Sequence, residues 1–340
     1  MLEDVMLDLQ LTWFLLIGVL LAGYAILDGF DLGVGMLHLF IAKDDRERRV
    51  LLNSIGPVWD GNEVWLLTAG GAIFAAFPKV YATVFSGFYL ALMLLLTALV
   101  LRAVSLEFRS KVEAPRWRAA WDGAFAFGSF LPALLFGVAI GNVLRGVPIG
   151  ADGEFAGTFF GLLNPFSLTV GLLSTAMFVM QGASWLSFRT DGPLRARAAR
   201  AGRFAWVAFV ALWLVATFYS RIEAPHLWTN YAGALTWIAP VVFVLAAAAW
   251  PFVTGTRAFA LSSLSIAALI GIMGQALFPF MVPSLDDLAN SLTIRNASSS
   301  MLTLKVMLVI ALAGMPFVVG YTIWIYRQFM GVVVLDEHSY

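Results

Sequence analysis

Runs of about twenty apolar residues recur from one end of this chain to the other, and each is the length of a helix that crosses a lipid bilayer. Nine such runs stand out, near residues 9–41, 50–77, 81–101, 121–143, 158–180, 204–220, 232–252, 259–282 and 302–326. Lipid offers no hydrogen bonds, so a spanning segment must satisfy its own backbone, and a long unbroken apolar run does so as an α-helix. The chain therefore reads as an all-α polytopic membrane protein of about nine transmembrane helices, organised as one integral membrane domain over residues 1–340. Composition agrees: 61% of residues are hydrophobic and 12% charged, with a mean hydropathy of +0.86. Soluble domains carry about 25% charged residues. A formal net charge of zero leaves no electrostatic footprint for nucleic acid. Cysteine is absent, which excludes disulfides, thiolate metal sites and iron–sulfur ligation by this chain. The opening MLEDVMLDLQ is acidic where a cleavable signal peptide is basic, so the first run is expected to stay in the mature protein.

The basic residues fix an orientation. Lys43, Arg46, Arg48 and Arg49 follow the first run. Arg102, Arg109, Lys111, Arg116 and Arg118 follow the third, and Arg189, Arg195, Arg197, Arg200 and Arg203 the fifth. With Arg257 and Arg327, sixteen of the 21 basic residues fall on one side, against Lys79, Arg145, Arg221, Arg295 and Lys305 on the other. The positive-inside rule then puts the N-terminus outside and the C-terminus in the cytoplasm. The polar stretch 189–203 reads as a cytoplasmic loop.

Ionisable residues inside apolar runs cost at least ~2.5–3.5 kcal/mol each on insertion and need a partner or a task. GYAILDGFDLGVG carries Asp28 and Asp31, three residues apart and so on neighbouring positions of one helix face, with Gly35 in line. Gly29 and Gly33 form a GxxxG pair on a separate face, as do Gly137 and Gly141 later, and such pairs mark close helix packing. GPVWDGNEVWLLTAGG carries Asp60 and Glu63, with Asn53 two turns earlier on nearly the same face provided Pro57 leaves the register intact. Arg102 ends the third run at the same depth. Topology thus brings Asp28, Asp31, Asp60 and Glu63 to one membrane end as candidates for a proton path, with Arg102 and Asn53 as polar partners. The same residues also fit a set of interfacial caps and ion pairs that anchor helix ends.

Other chemistry is sparse. Of three histidines, His226 lies beside Pro225 in an expected external loop, His338 is in the tail, and only His38 sits at the end of an apolar run where a haem ligand could be. A haem-dense chain is excluded on that count. The 12 Met fit packing, and Trp13, Trp121, Trp228 and Trp324 suit an interfacial aromatic belt. No phosphate loop, dinucleotide fingerprint or zinc-protease motif is found. Taken on residues alone, a proton-coupled secondary transporter is a fair reading.

The segments DGFDLGVGML, ERRVLLNSIGPVWDGNEVWLLTAGGAIFAAFPKVYATVFSGFYLALML, RWRAAWDGAFAFGSFLPALLFGVAIGNVLRGVPI, LLNPFSLTVGLLS, ALFPFMVPS and LTLKVML resemble subunit II of cytochrome bd-type ubiquinol oxidases, over nearly the whole chain. The shortness of the external loop near 220–231 resembles the cyanide-insensitive branch. The resemblance implies two four-helix bundles plus one peripheral helix in the cell membrane of a bacterium. It implies a partner, subunit I, that carries b-type and d-type haems and oxidises quinol, and it leaves no cofactor assigned to this chain with certainty beyond room for a structural quinone. Small single-helix accessory subunits and lipid complete the expected partners. The complex couples quinol oxidation to reduction of dioxygen to water. Subunit II supplies support, a cytoplasm-side proton path and dioxygen access. Asp31, Asp60 and Arg102 fall on polar positions of the family pattern, whereas Val58 stands where some members have His. A pure scaffold subunit with no proton role is the competing expectation.

Overall fold

The computed structural model describes residues 8–335, and His338 and the acidic first seven residues lie outside the described residues. In chain order the α-helices are α1 (Leu9–Ile41), α2 (Asp45–Ile55), α3 (Trp59–Ala76), α4 (Pro78–Gly87), α5 (Tyr89–Phe108), α6 (Pro115–Arg145), α7 (Pro165–Arg189), α8 (Gly192–Glu223), α9 (Ile238–Ala249), α10 (Thr256–Leu277) and α11 (Met301–Gln328). Their starts carry local signals. Asp8, Asp44, Asn164 and Ser300 cap the free N–H groups of α1, α2, α7 and α11. Pro78, Pro115 and Pro165 open α4, α6 and α7, where a missing N–H costs nothing.

Among the described residues eight helical segments are long and apolar enough to cross a membrane, and α3, with 18 residues, is the ninth of the long helices. At ~1.5 Å per residue it extends ~27 Å, close to the thickness of a bilayer core. An N-terminal group is formed by α1, α3, α5 and α6, with α1 between α3 and α6 and α5 on the outer side of α6. A second group is formed by α7, α8, α9 and α10, and α11 lies at the edge, mainly against α1 and α3, with its far end reaching Trp185 and Arg189 of α7. The two groups meet where α7, the most enclosed of the long helices, packs on α1 and α6. That seam depends on glycine. A Cβ on Gly33 would lie 1.9 Å from the Phe178 carbonyl oxygen, and one on Gly182 would lie 2.5 Å from the Gly33 backbone. Gly137 meets Gly171 in the same way on the α6 side. Of the glycine pairs read from the sequence, Gly33, Gly137 and Gly141 mark close approach to a neighbouring backbone, while Gly29 makes room for the Phe178 ring.

Two expectations change. The run 50–77 is not one span: residues 56–58 turn between α2 and α3. Pro57 cannot donate a helical hydrogen bond, and the charged α2 lies separately, burying Leu51, Leu52, Ser54 and Ile55. The stretch 189–203 is not a loop. Only two residues separate α7 from α8, and the arginines of 195–203 lie on a helix whose Arg197 donates to Glu47 and to the Ile41 carbonyl. A basic helix end can stand out of the membrane with its backbone bonds intact, which hydropathy alone reads as loop.

At the end of the bundle remote from the arginines, a short antiparallel pair, β1 (Phe280–Val282) and β2 (Leu292–Thr293), packs with Val147 and Ile149 over the ends of α1 and α3. There the Asp8 carboxylate takes the Arg295 guanidinium, and that guanidinium with the Leu11 N–H holds the Asp8 carboxyl below the usual carboxylate range. Trp13 Nε1 donates to the Leu304 carbonyl at 2.9 Å, pinning the start of α11.

Candidate functional site: a polar stripe on the first helix

Tyr24, Asp28, Asp31, Gly35 and His38 follow one another at spacings of four and three residues along α1, which places them on a single face. All five are buried, and the side chains of Asp28, Asp31 and His38 are fully enclosed. The face divides into two clusters, with Asp31 and His38 two turns or ~10 Å apart along the axis.

In the deeper cluster Arg102 Nη2, from α5, donates to Asp28 Oδ1 at 2.6 Å and to Glu63 Oε1 at 2.7 Å. Arg102 is enclosed, while the Glu63 side chain keeps 27% of its exposure, so this carboxylate links the buried pair to the surface. Asp31 has no guanidinium bonded to it. Its Oδ2 accepts from Asn62 Nδ2 at 2.7 Å, and Asn62 Oδ1 in turn accepts from the hydroxyl of Tyr326 on α11 at 2.8 Å. Asn62, Ala69 and Ala76 recur every seven residues, and this is the buried side of α3.

The second cluster lies at the arginine-rich end. Asp122, on the second turn of α6, accepts from His38 Nε2 at 2.6 Å, from Arg48 Nη1 at 2.8 Å and from Arg109. Arg109 also donates to Asp45, which takes Arg118 as well. Side chains from the end of α1, from α2 and from the turn after α5 are thus tied to one buried carboxylate of α6, in mutually bonded form. Between the clusters Gly35 leaves just enough space for Ser129 of α6, whose hydroxyl would lie 2.0 Å from a Cβ at that position.

Asp28, Asp31, Glu63 and Arg102 therefore come together as the sequence suggests, but Asp60 and Asn53 do not join them. Asp60 is exposed on the first turn of α3, because residues 60 and 62 point to nearly opposite sides of a helix and Asn62 takes the inward one. The turn at 56–58 cancels the shared face of Asn53 and Asp60, and Asn53 Nδ2 donates to the Arg49 carbonyl within α2. Asn62, Tyr326 and Asp122 were not singled out by sequence as site residues, and Arg109 was counted only among the basic residues that set the orientation. Asp122 carried a usable signal, an acid one turn inside a helix among arginines. Tyr326 carried none, since its partner lies 264 residues away. His38 is engaged by Asp122, and His226 Nε2 contacts the Leu144 carbonyl at 3.0 Å.

The family model for cytochrome bd terminal oxidase subunit II matches residues 9–329. The chain is 40% identical to cytochrome bd-I ubiquinol oxidase subunit 2 of Escherichia coli strain K12, over 97% of this chain and 96% of that protein. It is 38% identical to cytochrome bd ubiquinol oxidase subunit 2 of Bacillus subtilis strain 168, over 95% of this chain and 96% of the relative. The solved structure of bd oxidase from Geobacillus thermodenitrificans matches with a TM-score of 0.76 at 19% identity, over 95% of this chain and 99% of the matched chain, and shares its fold. These relatives do not favour the transporter reading.

Proposed function

Since this chain belongs to the family of cytochrome bd terminal oxidase subunit II, we propose that it is the haem-poor subunit of a quinol:dioxygen oxidoreductase in a bacterial cell membrane. The observation that carries this is 40% identity sustained over 97% of the chain. The reaction oxidises two quinols and reduces one dioxygen to two waters, consuming four protons at the oxygen and releasing four from quinol. Haem chemistry belongs to the partner subunit in this reading, and the two described histidines of this chain bond Asp122 and the Leu144 carbonyl.

What this chain contributes is read from its α1 face. The arginine-rich end faces the cytoplasm by the positive-inside rule. Asp60, exposed at that end, collects protons. Glu63, half-buried one turn further in, passes them to the enclosed Arg102–Asp28 pair. Asp31, one turn nearer the arginine-rich end than Asp28 and with only an amide bonded to it, is a second holding point beside that pair. One guanidinium stands among three carboxylates, so the enclosed cluster holds more acids than cations, which suits it to relay protons. The cluster around Asp122 does a different job: its carboxylate is saturated by cations, and it ties the ends of α1, α2, α5 and α6 together.

Purification of the tagged chain in mild detergent tests the assignment. A second polytopic subunit with b-type and d-type haem spectra, and oxygen uptake driven by added quinol, are expected. A chain that purifies alone, without haem and without oxygen uptake, would refute it.

A further inference from the structure

Helix α11 runs along the outside of the molecule, and Leu304, near its start, is its one buried side chain among the described residues. It is fastened at both ends. Trp13 holds the Leu304 carbonyl, and at the far end Arg189 Nη1 donates to the carbonyls of Phe329 and Gly331 while the Val333 N–H returns a bond to the Arg189 carbonyl at 2.9 Å. Arg189 is itself buried. Between these fastenings Tyr326 turns inward. Its ring lies edge-on to Phe30 at 6.4 Å and to Trp185 at 5.9 Å, and its hydroxyl donates to Asn62 Oδ1.

The Tyr326 bond fixes which way the Asn62 amide points. With Oδ1 taken by the hydroxyl, Nδ2 is left to face Asp31 Oδ2 at 2.7 Å and the Leu27 carbonyl at 3.4 Å. We infer that Tyr326 is a positioning residue for the proton path, holding the Asn62 amide in the one orientation that donates to Asp31. The inference rests on the proposed proton role of Asp31. It makes the peripheral helix part of the working site: Arg189 sets the end of α11, α11 sets Tyr326, Tyr326 sets Asn62, and Asn62 sets the donor that Asp31 meets. The other groups facing Asp31 are Asp28 on its own helix, Arg102 of α5 and Glu63 of α3, and none of them contacts the Tyr326 hydroxyl.

The test uses the assembled complex. Tyr326→Phe removes one oxygen and keeps the ring packing. It is expected to retain the full haem spectrum, to slow quinol-driven oxygen uptake about fivefold, the effect of losing one hydrogen bond's worth of positioning, and to displace the alkaline limb of the rate–pH profile. Tyr321→Phe, on the exposed side of α11, should do none of this. Asn62→Leu should reproduce the displacement, and adding Tyr326→Phe to it should change nothing further. Infrared difference spectra supply an independent readout: a carboxyl band that Asp31→Asn abolishes should shift in Tyr326→Phe. If Asp31→Asn slows turnover while Tyr326→Phe leaves rate, profile and band as they were, the inference is wrong and the proton-path reading stands. If Asp31→Asn itself changes neither rate nor profile, that reading fails with it. Should Tyr326→Phe not assemble, Asn62→Leu decides, and an undisplaced profile there overturns the inference.

Discussion

Arg102 Nη2 on α5 and Asp28 Oδ1 on α1 face each other at 2.6 Å, the guanidinium side chain 1% exposed and the carboxylate fully enclosed. Arg102 has a second carboxylate in Glu63, but among the described residues Asp28 has no cation besides Arg102. Removing Arg102 therefore leaves Asp28 buried and uncompensated, which costs far more than the pair itself contributes.

Arg102→Leu is therefore expected to harm assembly, destabilising the subunit by about 3–5 kcal/mol. The yield of haem-loaded complex per milligram of membrane checks this. Arg102→Lys keeps the charge without the planar fork and should fall between wild type and Leu. Full yield from Arg102→Leu would mean the pair carries no structural weight.

Asp122→Asn should act on stability and not on turnover. Three side chains, His38, Arg48 and Arg109, converge on this carboxylate. Neutralising it leaves the enclosed Arg109 with only the half-exposed Asp45 as counter-charge. A loss of about 3 kcal/mol is expected, seen as a lower melting temperature in detergent, with oxygen uptake per haem little changed. A pH-dependent loss of turnover at full stability would move Asp122 into the proton path.

Much of this was legible in sequence. The apolar runs give the helices because lipid enforces helix length, and the arginines alternate with them because charge resists translocation. Asp28, Asp31 and Arg102 stood out because a charge in an apolar run demands compensation, and the structure gives Asp28 its cation. What failed was register and distance. Whether Asp60 or Asn62 faces inward depends on where α3 begins, and that depends on the turn at Pro57, which a window of hydropathy averages away. The contacts of Tyr326 with Asn62 and of His38 with Asp122 join residues 264 and 84 positions apart, and pattern within a helix holds no information on either.

Orientation is open to a direct check because the native chain has no cysteine. Ser110 is exposed on the arginine-rich side. A cysteine there should resist impermeant thiol reagents in intact cells and react in inverted membrane vesicles. Labelling in intact cells would reverse the assigned topology.

Two groups on the opposite end set a pH dependence of stability. Burial pushes the His226 imidazolium below its ordinary range, partly offset by the Leu144 carbonyl. The unfolded chain then binds this proton first, so stability falls as pH drops through the ordinary histidine value of ~6.5 and levels off below the folded one. Asp8 is held down by Arg295 and the Leu11 N–H, so its contribution is present above the ordinary carboxylate value of ~3.9 and is lost as pH falls through the lower folded value. Melting curves in detergent should decline from neutral to mildly acid pH in wild type, and less in His226→Gln. An identical decline in that variant would assign the effect elsewhere.

The proton role of the α1 face is tested most directly by oxygen uptake of the assembled Asp31→Asn complex across the pH range. Asn keeps the shape and hydrogen bonding of the side chain but cannot release a proton. A normal haem spectrum is expected, together with a slower rate whose ratio to wild type falls steadily as pH rises and protons become scarce. A rate equal to wild type at every pH, with full haem content, would contradict a proton path through this cluster.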